Sequence, residues 1–346
     1  MKGWIGLALC CWMTGARAQT RNDTTCYVRF GDRLAVSLYQ SQRSMTYLMS
    51  SRDPLQATAA HGMNYTAQAN TVSGFELDYD KLSLALNFKS TSGDVKTFGF
   101  TNYHDFHVAI GGNVWILEAG YRRYKGFYDT NTSAYDTSWK QGMPLFQNTG
   151  LTSEAELGRF TYFLRHKKFS YKAAYTCSYR QLRSNWSPIL EGYMFHENLF
   201  SDSFFVPSPM RANFGSMNDL LGLDTYGISA GAGVSATLVI FHRVFVNITL
   251  AECVESQWRE YHQDGSETRM LQYFSIRNDE RASLGYNGNR FFFFLSARND
   301  IGFENGNSLS VQHTFNNVDA NLGYRFRIPD KGLILKLKNN KYYKML

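Results

Sequence analysis

Cysteine is scarce in this chain. Five occur in 346 residues, and two of them, Cys10 and Cys11, fall in an N-terminal segment that reads as removable. Cys26, Cys177 and Cys253 remain, odd in number and widely spaced. That excludes a disulfide framework and a paired-cysteine zinc motif. Cys177 and Cys253 read as small packing residues within strands. Long apolar runs are missing too. Past the first twenty residues, nothing approaches the ~18–20 apolar residues that a spanning helix needs. The longest aromatic cluster, Phe291 to Leu295, is far too short. If the chain enters a membrane, it crosses as strands. Blocks of basic charge are absent except at the C-terminus, which argues against a nucleic-acid partner, since that needs a contiguous stripe. No glycine-rich phosphate loop precedes a helix, and no cofactor is expected.

The N-terminus is the clearest local signal. Lys2 is a positive start, Trp4 to Met13 is a short apolar stretch, and Ala16-Arg17-Ala18 is a small-x-small cleavage site before Gln19. This reads as a cleavable export signal over residues 1–18. Losing Lys2 and Arg17 lowers the net charge from +7 to +5. Residues 19–32 are polar and read as a periplasmic lead-in.

From there the dominant pattern has period two. Phe75, Leu77 and Tyr79 alternate with Glu76 and Asp78. After an Asp80-Lys81 turn, Leu82, Leu84, Leu86 and Phe88 alternate with Ser83, Ala85, Asn87 and Lys89. Such alternation gives two strands, each with one apolar and one polar face. Thr225 to Phe241 is more regular still, with Tyr226, Ile228, Val234, Leu238 and Ile240 on one face and Thr225, Ser229, Ser235 and Thr237 on the other. Further alternating segments include Lys96 to Ile110, Val114 to Tyr128, Ser153 to Arg165, Phe169 to Gln181 and Ser308 to Phe326. About thirteen strands are visible; a bacterial single-chain barrel takes an even number, so about fourteen are expected, with about twelve as the alternative. The extra strand would lie between Ser201 and Asp224, which otherwise reads as a loop around Pro207 and Pro209.

Alternation alone also fits a soluble barrel or sandwich. A mean hydropathy of −0.35 looks soluble, but a membrane barrel averages its two faces and hides from that test. Three features favour the membrane. Thr225 to Phe241 would reach roughly 40 Å at ~3.3 Å per residue and ~40° tilt. The polar faces mix small residues with charges of both signs. Aromatics, 16% of the chain, recur near strand ends, where interfacial girdles lie. The expected fold is therefore all-β, an antiparallel up-and-down transmembrane β-barrel over residues 33–328. A basic tail follows over 329–346, reading as a solvated extension.

At Gly323-Tyr324-Arg325-Phe326 the last strand is similar to the final-strand signal of bacterial outer-membrane barrels. The segments Arg122-Arg123-Tyr124-Lys125-Gly126-Phe127-Tyr128 and Lys168-Phe169-Ser170-Tyr171-Lys172-Ala173-Ala174-Tyr175 resemble an uncharacterised domain-of-unknown-function family of exported proteins from Bacteroidetes-type bacteria. The resemblance implies an outer-membrane barrel and brings no catalytic residues. It also implies the surroundings: outer-membrane lipid, lipopolysaccharide and the barrel-assembly machinery as partners. The oligomeric state is left open.

Candidate lumen-lining residues are Glu76, Asp78, Lys89, Glu118, Arg122, Lys172, Arg180 and Arg281. Their mixed signs suit either a channel lining or a closed set of ion pairs. The leading functional expectation is a channel or transporter for small polar solutes. A non-conducting structural or envelope-assembly barrel is the alternative, and a lipid-modifying enzyme, for which His313 near Ser310 is the pair to inspect, comes third. His104 and His107 point to opposite faces of a strand and so cannot share a metal. No catalytic constellation and no metal site are expected.

Overall fold

Period-two alternation carries through twelve long strands, which pair edge to edge until the last meets the first. The computed structural model describes residues 24–51, 62–91, 93–265, 269–305, 309–329, 331–341 and 343. The export segment lies outside them. The wall strands are β2 (Arg33–Ser51), β3 (Gly62–Tyr79), β4 (Leu82–Thr91), β5 (Asn102–Gly111), β6 (Trp115–Asp129), β7 (Phe146–Phe163), β9 (Asn185–Phe200), β10 (Leu220–Ile240), β11 (Val244–Gln263), β12 (Arg269–Asn287), β13 (Phe291–Asn305) and β14 (Leu309–Arg327). All neighbours are antiparallel, and β14 pairs with β2 from Leu309↔Ser51 to Arg327↔Arg33, closing the barrel. Closure leaves no edge strand for another chain to extend. A separate two-stranded ribbon joins β1 (Tyr27–Arg29) to β8 (Tyr179–Gln181).

The wall thus has twelve strands, the alternative count rather than the leading expectation of fourteen. Two segments account for the difference. Phe169 to Gln181 alternates like a strand, yet residues 169–174 are buried on both faces. It enters the lumen, where it forms the short helix α2 (Lys172–Tyr175) and β8. Residues 201–219 hold two 3-10 turns, Ser208–Asn213 and Gly215–Met217, and no strand. The start of the Lys96 to Ile110 segment is also not strand: Val95–Phe98 is the short helix α1, capped by the Asp94 carboxylate.

The outer surface divides along the strand axis. Near the chain termini, Trp115, Tyr162, Trp186, Tyr286, Phe291, Tyr324 and Phe326 ring the wall, and Phe291–Tyr324 and Tyr324–Phe326 each pack at 4.8 Å between centroids. Above this girdle, outward positions are apolar: Val244, Val246, Ile248 and Leu250 on β11, and Leu322, Ala320 and Val318 on β14. Polar residues then replace them at Glu252, Glu280, Asn299, Asn316 and Ser44, which adjacent-strand pairing places at similar height. Strand by strand the apolar stretch spans roughly 15–30 Å at ~3.3 Å per residue and ~40° tilt, bracketing the ~25 Å band of outer-membrane barrels. The strands continue past it with a polar exterior, as at the Arg123–Glu154 ion pair of 2.9 Å.

Connections at the terminus end are tight, as at Asp80, Phe241 and His242, which take positive φ. The exception is the segment between β7 and β9, which carries the inserted α2 and β8. Connections at the opposite end include the longer ones, over 130–145 and 201–219.

Candidate functional site

The inward face begins from small and charged residues, and these leave space that the chain itself fills in three layers. The first layer closes the terminus end. Residues 169–181 fold into the barrel mouth, and β1 pairs with β8 beside them. Phe169 and Tyr171 stack with Phe163 of β7 at 6.1 and 5.2 Å. Polar side chains of the wall take up the backbone of this plug. Asn287 of β12 donates to Ala173 O and Tyr179 O, each at 2.9 Å. Arg325 of β14 donates to Cys177 O at 2.8 Å. Asn113 donates to His166 O and Phe169 O. A buried irregular segment needs such partners for its carbonyls. The tail reinforces the layer: helix α3 (Gly332–Asn339) follows β14, Tyr343 donates to Asp80 Oδ2 at 2.9 Å, and Lys338 donates to Gly31 O at 2.9 Å. The tail is therefore docked, where a solvated extension was expected.

The middle layer is ionic. Arg159 of β7 pairs with Glu118 of β6, and at 2.9 Å with Asp279 of β12. Asp279 also accepts from Arg281 at 2.9 Å and Arg298 at 3.2 Å. Arg277 pairs with Glu255 at 2.7 Å and Asp300 at 2.9 Å. Arg43 of β2 pairs with Asp105 of β5 and donates to Tyr103 Oη at 2.8 Å. Buried charges persist only when paired and hydrogen-bonded, and here each guanidinium meets at least one carboxylate.

The third layer is apolar and closes the far end. Phe205, Val206, Met210 and Phe214, from the 201–219 connection, are buried against Met45, Met49, Met63, Tyr65, Leu199, Leu220 and Val311 of the wall. Tyr65 Oη donates to Phe205 O, which ties this lid to β3. Tyr47 Oη bonds Ser153 at 2.7 Å and donates to Glu197, spanning β2, β7 and β9 below the lid.

Between the plug and the ionic layer lies a cavity of about 220 Å³, lined by Arg43, Glu76, His107, Glu118, Arg122 and Arg298 among others. Arg122 lies over the Phe315 ring at 3.9 Å and has no carboxylate partner among the described residues. The wall beside the cavity is thin. The β4–β5 ladder runs only from Leu82↔Ile110 to Leu86↔Phe106, although β3–β4 continues to Thr71↔Thr91 and β5–β6 to Asn102↔Lys125. Asn87 bridges the split by donating to Asp105 O at 3.0 Å, and β3 meets β6 above it at Tyr65↔Asp129.

Glu76, Asp78, Glu118, Arg122 and Arg281 are on the inward face of wall strands. Lys172 reaches the lumen from the plug, donating to Asp80 O at 3.3 Å. Burial pulls its pKa down, against the opposing pull of Asp78, Asp80 and Glu76. Arg180 departs from a lumen lining: it sits in β8 at the barrel mouth, donating to Asn289 Oδ1 at 2.7 Å, because its segment is plug rather than wall. The side chain of Lys89 lies outside the described residues. His104 and His107 face opposite sides of β5, and His107 Nε2 is 3.3 Å from Glu118 Oε1. Ser310 and His313 also face opposite sides, with His313 buried in the lumen. The reading missed Arg43, Arg159, Arg277, Asp279, Arg298 and Asp300. Charged residues at every second position, as in Arg277-x-Asp279-x-Arg281, were the available signal.

The chain is similar to solved outer-membrane barrels. The outer membrane protease OmpT of Escherichia coli is 6% identical, with 86% of this chain and 97% of that chain covered and a TM-score of 0.37. The outer membrane protein OmpT of Vibrio cholerae is 9% identical, with 85% and 98% covered and a TM-score of 0.30. The attachment invasion locus protein Ail of Yersinia pestis is 9% identical, with 84% and 98% covered and a TM-score of 0.20. Comparison with curated proteins finds no match. A domain of unknown function, DUF4421, matches residues 21–326, which is nearly the whole barrel, and the chain belongs to that family.

Proposed function

We propose that this protein is an outer-membrane barrel that stands sealed, a structural element of the envelope rather than an open pore for small polar solutes. The supporting features for the location are the apolar band, the aromatic girdle and the N-terminal export segment. One observation carries the sealed reading: side chains bond across the lumen at three heights, through Asn287 to the plug, Arg159 to Asp279, and Tyr65 to the lid. An open porin keeps a water-filled channel instead. Reconstitution into planar bilayers tests it: the wild type stays silent, and a variant lacking residues 169–181 and 203–217 and carrying Arg159→Ala and Asp279→Ala in the ionic layer conducts. A wild type with steady porin-like conductance would overturn the reading.

A second reading rests on the cavity. Arg122 faces it with no ion pair within 4 Å among the described residues, although Asp105 and Glu118 also line the cavity, and the β4–β5 ladder stops short beside it. A small anionic solute fits that chemistry. Tight, saturable binding of such a solute that is lost in Arg122→Gln would favour it.

A further inference from the structure

On the outer face of β10 and β11, above the apolar band, three metal-ligating side chains converge, and His196 of β9 contacts one of them. Asp224 lies directly opposite Glu260 across the β10–β11 ladder. His262 is opposite Gly222, two positions along, and His196 is opposite Tyr226 on β9. His196 Nε2 is 3.2 Å from Asp224 Oδ1, and His262 Nε2 is 3.3 Å from Asp224 Oδ2. One ligand atom each from Asp224, Glu260 and His262 lies within 4.8 Å of the others.

Three local features bring these groups together. Like charges directly opposite on one face of a sheet repel, yet Asp224 and Glu260 hold that register. Gly222 makes room for His262: a Cβ there would come within 3.1 Å of the imidazole. Tyr226 stacks on His196 at 4.4 Å and 8°, fixing its ring. Metal–ligand bonds of ~2.1 Å in a tetrahedron put donor atoms about 3.4 Å apart. The His262–Asp224 separation of 3.3 Å already matches.

The geometry points to a divalent transition-metal site on the outer wall, with Asp224, Glu260 and His262 as ligands and His196 holding the other oxygen of Asp224. One imidazole and two carboxylates, with a solvent ligand to complete a tetrahedron, suit Zn²⁺ or a chemically similar ion, because a nitrogen donor favours it over Mg²⁺ or Ca²⁺. The cation would neutralise the opposed carboxylates. It would sit just beyond Tyr226 and Trp258, on the polar part of the wall above the apolar band.

Full-length protein, folded in detergent and stripped with chelator, tests the site with Co²⁺ as the spectroscopic probe and Zn²⁺ as competitor. One Co²⁺ per chain is expected, with visible absorption of low-coordinate nitrogen–oxygen ligation that Zn²⁺ displaces. Asp224→Asn and His262→Gln should each weaken binding by ~100-fold or more. His242→Gln, in the β10–β11 turn at the other end, should leave it unchanged. Heat-modifiable gel migration verifies that each variant folds. Binding should weaken on acidification, since imidazole must be deprotonated to ligate. A wild type that binds Co²⁺ no better than Asp224→Asn, or a loss in His242→Gln equal to that in His262→Gln, would overturn the assignment and leave a simple His–Asp–His hydrogen-bond chain.

Discussion

Arg159 Nη1 and Asp279 Oδ2 meet at 2.9 Å across the lumen, from strands that β9, β10 and β11 separate along the wall. Both side chains are buried. The pair holds opposite sides of the barrel together and fills the space between them. Asp279 serves three guanidiniums, of Arg159, Arg281 and Arg298. Asp279→Ala would leave those charges short of a partner inside the protein. It should lower stability by about 3–5 kcal/mol, the usual result of breaking a buried pair from one side. Denaturant unfolding of the detergent-folded protein, followed by tryptophan fluorescence, measures it. A change within 0.5 kcal/mol, roughly that of a surface substitution, would mean the ionic layer is hydrated and loose.

The plug supplies its own reporter. Cys177 is a free thiol on the inserted segment, and burial pushes its pKa up to about 12. In a background where Cys26 and Cys253 are serine, a maleimide should label Cys177 very slowly at pH 8, because the thiolate is the reactive form. Asn287→Ala removes two hydrogen bonds to the plug backbone. Leaving buried carbonyls unsatisfied costs about 1–3 kcal/mol, so labelling should speed up roughly 10-fold or more. Unchanged labelling would show that Asn287 does not hold the plug.

Orientation of the wall can be read from two neighbours on β4. Leu84 faces outward within the apolar band, while Ala85 lines the internal cavity. Leu84→Arg should impair membrane assembly, since an arginine on the lipid face costs about 2–4 kcal/mol near the midplane. Ala85→Arg should assemble with much smaller loss. Folded yield in lipid vesicles, scored by heat-modifiable migration, compares the two. Equal tolerance would mean that the faces are assigned the wrong way round.

Much of the wall was legible in the sequence, because period-two alternation over long segments is a local signal. Thr225 to Phe241 shows this: its serines, threonines and glycines face in, and Ile228, Val234, Leu238 and Ile240 face out. The filling was not legible. Phe169 to Gln181 has the same alternation as a wall strand, and only burial of both faces separates it. Phe205, Val206, Met210 and Phe214 are spaced irregularly among prolines, so they read as loop, and their partners lie on β2, β3, β9, β10 and β14. Charges such as Arg277, Asp279 and Arg281 mark a polar face, but the partners of Asp279 lie as far as 120 residues away. The outer cluster at Asp224 was invisible for a related reason. It draws Asp224 from β10 and Glu260 and His262 from β11, with His196 of β9 beside them, and only the register brings them together.

The metal site makes a separate claim on stability. Zn²⁺ bound to the folded wall but not to the unfolded chain should raise the unfolding midpoint, by an amount that grows with free Zn²⁺. Glu260→Gln should abolish most of that gain while stabilising the metal-free protein, because it relieves the repulsion with Asp224. Thermal unfolding with and without Zn²⁺ separates the two effects. An equal gain in both proteins would place any bound metal elsewhere.

The central claim is that plug, ionic layer and lid together close the lumen. Single-channel recording of the wild type in a planar bilayer tests it most directly, with insertion verified by heat-modifiable migration of protein recovered from the same vesicles. A silent wild type is expected, with ohmic conductance only when residues 169–181 and 203–217 are both removed and the ionic layer is opened by Arg159→Ala and Asp279→Ala. Steady conductance through the intact protein would contradict it.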